Sequence, residues 1–232
     1  MFEKLFGRKA APAPPAPPAA PAAPLAVLDE ILALAAEEVG TKGAAVDILY
    51  CLAAHTGHAS QQVAIALAER QGASAGPPDF NVVRTTDGSY YLFGDGIHRH
   101  LLSESPLGPY WHIARSTQPP LDLDDYKAIA GRSAATVGSR EFGVPQLEPK
   151  SRPSLGLEAA ALKFSGLMTP LLRRYEPAME KWPSILGQAC AAEIGRLDAN
   201  GTMSRKMGAR VAAEALVCGS HVYKPSPRED RA

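Results

Sequence analysis

A chain of 232 residues with 24 basic and 24 acidic side chains has no formal net charge, so it lacks the long-range positive field on which non-specific nucleic-acid binding relies. Hydrophobic residues make up 46% of it and aromatic ones 6%, which leaves Ala, Leu, Val and Ile to build the core and favours close helix packing. Cys51, Cys190 and Cys218 are widely spaced in apolar surroundings, a pattern of buried thiols that neither a disulfide framework nor a zinc knuckle would produce.

Residues 1–24 read as a disordered N-terminal peptide followed by a tether. Every residue from 10 to 24 is Ala or Pro, a composition that offers no packing pattern and holds the backbone extended. Ahead of it, Phe2, Leu5 and Phe6 would share one face of a helical turn, with Lys4, Arg8 and Lys9 supplying positive charge. That peptide suits docking to a partner protein or weak contact with an anionic membrane surface. With no apolar run long enough for a signal peptide or a bilayer span, the expected compartment is the cytoplasm.

The folded part is expected over 25–140, a helical domain carrying one β-hairpin at about 80–93. Leu25, Leu28, Leu32 and Val39 recur at helical spacing before Gly40. A second helix is predicted over 46–54, with Gly57 separating it from a third over 61–70. Two β-rich runs, 80–84 and 90–93, flank an Asp87-Gly88 turn that signals a hairpin. Asp95 is placed to cap a short helix with Ile97 and Leu101, Pro106 and Pro109 to introduce another, and Asp122 to cap a longer one ending at Gly138.

Residues 141–153 read as a Pro- and Gly-punctuated linker, 154–223 as a C-terminal helical segment and 224–232 as a disordered tail. Leu157, Ala161, Phe164, Met168, Leu171 and Tyr175 keep the four-and-three spacing of a helix seam, interrupted at Pro170, with a further interruption at Pro183. The fold class is therefore mainly α with one small β-hairpin, bundle-like and divisible into two subdomains.

Three helices followed by a hairpin resemble a winged-helix DNA-binding domain over residues 25–94, with Ala53, Gly57 and Val63 at helix-turn-helix spacing. The resemblance implies a recognition helix presenting Gln61, Gln62 and Arg70, and a wing whose Arg84 contacts phosphate. That helix has no Lys or Arg before Arg70, and backbone phosphate contacts supply most DNA affinity.

The densest polar-aromatic stretch runs through Tyr91, Phe93, Gly94, Asp95, Gly96 and His98, with Trp111 shortly after. It combines glycine-dependent backbone, ionisable groups and rings that suit either a ligand or a partner surface. His55 and His58, with His98 and His100, have a ligand-like spacing, but residues two apart on a helix do not share a face and no cysteine lies near. No metal, cofactor or catalytic residue is assigned. The leading expectation is a non-catalytic protein that works by association with a protein partner or with itself. A winged-helix regulator is one alternative, and a small-molecule or anion site around Asp95 and His98 is another.

Overall fold

The computed structural model describes residues 25–40, 45–70, 80–104, 108–148 and 152–224. The N-terminal peptide and tether, Pro106 and residues 225–232 of the tail lie outside the described residues. The protein is mainly helical with one small antiparallel sheet. In chain order the elements are α1 Leu25–Val39, α2 Ala45–Arg70, β1 Asn81–Arg84, β2 Tyr90–Phe93, α3 Asp95–Leu101, α4 Pro109–Ala114 and α5 Leu123–Thr136. They continue with α6 Leu157–Lys163, α7 Ser165–Tyr175, α8 Trp182–Ala199, α9 Arg205–Gly219 and β3 Val222–Tyr223.

The centre of the molecule is α2, on which α9, α6 and α8 pack. It runs unbroken through Gly57, so the predicted division into two helices is corrected. Glycine breaks a helix only when nothing compensates its backbone entropy. Here a Cβ on Gly57 would stand 2.0 Å from the Leu216 carbonyl oxygen of α9, and one on Gly219 would stand 2.3 Å from the Ala54 carbonyl oxygen of α2. The two glycines let α2 and α9 touch backbone to backbone. Ala53, Ala54, Ala212, Ala213 and Ala215, all buried, line the same helices.

Residues from 25–140 and from 154–223 enter one core cluster. The seam residues Leu157, Ala161, Phe164, Met168 and Leu171 are buried within it, while Tyr175 is exposed and bonds Glu30 of α1 at 2.6 Å. The seam therefore serves the protein's own core. Its helix breaks at Phe164 rather than at Pro170, which lies inside α7, and Pro183 opens α8 instead of interrupting it.

The stretch expected as a linker makes specific bonds where it is described. Phe142 is buried, the Tyr50 hydroxyl donates to the Gly143 carbonyl at 2.7 Å, and the Gln146 amide donates to the buried Glu214 carboxylate at 3.0 Å. Ser154 donates from its amide and hydroxyl to Asp47 of α2. The three cysteines are free and buried. Asp122 caps α5 as expected, in a reciprocal box with Asp125.

The sheet has the order β1-β2-β3, so the expected hairpin gains a third strand from the chain's C-terminal end. Val82 faces Leu92 across the hairpin, and Tyr91 pairs with Val222 on the other side. Among the described residues no helix is long and apolar enough to cross a membrane.

Candidate functional site

The hairpin turn is built by Asp87, whose carboxylate accepts from the Thr85 hydroxyl at 2.5 Å and from the Ser89 amide at 3.1 Å, while Gly88 takes φ +88°. This turn delivers β2 directly into α3 through Gly94. Gly94 is the N-cap of α3 and Asp95 its first helical residue, so the expected capping by the Asp95 side chain does not occur. Ile97 and Leu101 anchor α3 in the core, which leaves Asp95, His98, Arg99 and the start of the following turn, Leu102, around a cavity of about 490 Å³.

Tyr126 of α5 stands behind His98. Its hydroxyl lies 2.5 Å from His98 Nδ1, and the rings meet edge to face with centroids 5.9 Å apart. Tyr126 is in turn packed edge to face on Tyr110, whose hydroxyl donates to the Asp122 carbonyl at 2.7 Å. Burial holds the Tyr126 hydroxyl well above the usual phenol range, with the Tyr110 phenol adding to the effect. The phenol therefore keeps its proton, and among the described residues His98 is its one hydrogen-bond partner. The arrangement that leaves no buried donor unpaired has Tyr126 donating to Nδ1, which makes His98 the Nε2–H tautomer.

Burial lowers the His98 pKa, partly opposed by the Asp95 carboxylate, so the ring is neutral at neutral pH. His221 sits on the far side of this group. It stacks on Phe93 at 4.2 Å, meets the edge of His98 at 5.7 Å and donates from Nδ1 to the Leu92 carbonyl at 3.0 Å. Burial pushes His221 down to about 4. His58 of α2 donates to the Val222 carbonyl at 3.1 Å, so two histidines fasten the sheet to itself and to the helical core.

Of the residues singled out in the sequence, Asp95 and His98 line the cavity. Phe93 supports it through His221. Tyr91 packs instead on Phe142, with centroids 4.8 Å apart. Gly96 lies against Phe80, whose ring would be 2.8 Å from a Cβ there. Trp111 donates to the Leu102 carbonyl at 2.9 Å and braces the back of α3. Tyr126 and His221 were missed because they lie outside the stretch and nothing local links them to it; Arg99 stands within the stretch, beside His98, but was not among the residues singled out.

The helix-turn-helix geometry implied by the winged-helix resemblance is absent over the described residues. The turn expected at Gly57 is helix, and Gln61 is fully buried, donating to the Ser220 carbonyl at 2.9 Å. Gln62 and Arg70 are exposed on α2, and Arg84 is exposed on β1 with its guanidinium 5.4 Å from the Tyr90 ring centre. His55 bonds the Ala161 carbonyl, 3.0 Å from Nδ1. Among the described residues no three His, Cys, Asp or Glu side chains gather in a metal-holding group. Compared with known proteins, the chain matches no family model, no curated protein sequence and no solved structure.

Proposed function

We propose that the protein binds a small polar molecule in the cavity beside α3, and that His98 is the group that meets it. The observation that supports this reading is the His98–Tyr126 hydrogen bond at the cavity wall. A buried phenol fixing one nitrogen of a neutral imidazole leaves the other nitrogen as a directed N–H donor. Such a donor suits a ligand oxygen, either a carbonyl or an anion. Arg99 and Asp95 add one charge of each sign to the same wall, and Leu102 an apolar contact. The volume lies within the roughly 300–1,000 Å³ of small-molecule sites.

Native mass spectrometry of the purified protein tests the reading. A retained small molecule that is lost in His98→Ala and weakened in Tyr126→Phe would support it. Retention unchanged in His98→Ala would refute it.

Association remains a second reading, favoured by β1. All four residues of this strand are exposed, with Val82 at 55%. Apolar side chains on an outer strand are suited to strand addition by a partner chain. A sedimentation experiment comparing wild type with Val82→Lys addresses it: an assembly that the lysine disperses supports the reading, and a monomer in both counts against it.

A further inference from the structure

A second cavity lies away from α3, between the loop that follows α4, the start of α9 and residues 146–147. Its volume is about 480 Å³. Pro119, Pro120, Leu121, Leu147 and Met207 give it an apolar lining. Met207 is 45% exposed on the first turn of α9, an unusual position for a methionine that serves only the core.

Three charged side chains border this lining, and their pairing decides what it can take. Arg210 is shared between Glu214, 2.9 Å from Nε, and Asp125, 3.7 Å from an Nη nitrogen. Glu214 also pairs with Arg132 at 3.0 Å. Arg210 and Asp125 are thus engaged with each other and with the protein. Lys206, one turn before Arg210, has no ion-pair partner among the described residues. The cavity therefore couples an apolar lining to one ammonium that no described carboxylate compensates.

We infer that this cavity is a binding site for a small apolar carboxylic acid, its chain or ring lying on Met207, Leu147 and the prolines and its carboxylate meeting Lys206. A carboxylate there gains a charge-assisted hydrogen bond without displacing an existing partner, while the hydrocarbon part removes apolar surface from water. A neutral analogue keeps only the second contribution. A dicarboxylate would bring a second charge toward Asp125 and is disfavoured.

The test uses 4-phenylbutanoate and its amide, titrated into the full-length protein by NMR. The acid is expected to bind about fivefold or more tightly than the amide at low salt, with the difference shrinking as salt rises. Lys206→Gln should bring the acid down to the amide's affinity, and Met207→Ser should weaken both. Both positions are exposed, so neither change threatens the fold. Equal binding of acid and amide, an acid affinity untouched by Lys206→Gln, or no binding of either compound at millimolar concentration would overturn the assignment.

Discussion

Acidification should unfold this protein through histidines that are buried neutral. Burial pushes His55 and His221 each down to about 4, whereas an exposed imidazole in the unfolded chain titrates near ~6.5. A folded-state value below the unfolded one means that the unfolded chain binds more protons between the two. Stability is then complete above about pH 6.5 and is lost as pH falls toward 4. Between pH 7.5 and 4.5 the linkage integral comes to about 2–3 kcal/mol for each histidine, about 5 kcal/mol for the pair. That is comparable to the whole stability of many small domains, ~5–15 kcal/mol. His58, His98 and His100 are shifted in the same direction and add to the effect. The assay is urea unfolding at several pH values and constant ionic strength. His221→Asn keeps a donor for the Leu92 carbonyl while removing the titration, and should cut the pH dependence by about 2–3 kcal/mol over the same range. A stability that stays level from pH 7.5 to 4.5, or a slope unchanged in His221→Asn, would refute the reasoning.

Helix glycines give a paired prediction. Gly131 in α5 has open space where a Cβ would go, so Gly131→Ala should stabilise the protein by about 0.5–1 kcal/mol in chemical denaturation. Gly57→Ala forces a methyl against the Leu216 carbonyl and should cost at least about 1–3 kcal/mol despite the better helix propensity of alanine. Removing the α5 cap in Asp122→Ala should lower stability by roughly 1 kcal/mol, because two backbone donors lose their acceptor; a change below ~0.3 kcal/mol would mean that water replaces the cap.

Much of the helical framework is legible in the sequence because its signals are local. The apolar spacing of α1, the Asp122 cap, the Asp87-Gly88 turn and the apolar settings of the cysteines each need only a few neighbouring residues. Gly57 is not legible in this way. Locally it reads as a break, and what makes it a contact point is a second glycine, Gly219, on a helix that arrives far later in the chain. The site divides along the same line. Asp95 and His98 stand in one run, but the residue that fixes the His98 tautomer comes from α5, and a ring packed against His98 comes from the turn after α9. Tyr126 looks like one more apolar position of an amphipathic helix, and His221 sits beside a strand of only two residues, too short to register as a periodic pattern.

The central claim is that a neutral His98, fixed by Tyr126, meets a ligand in the α3 cavity. The most direct measurement is imidazole-resolved 15N NMR at pH 7 during titration with inorganic phosphate, acetate and acetamide. The account predicts that free His98 shows the Nε2–H tautomer and that at least one of these compounds shifts its Nε2 resonance while His55 stays in place. A charged or Nδ1–H His98, or an Nε2 resonance that none of the three moves, would contradict it.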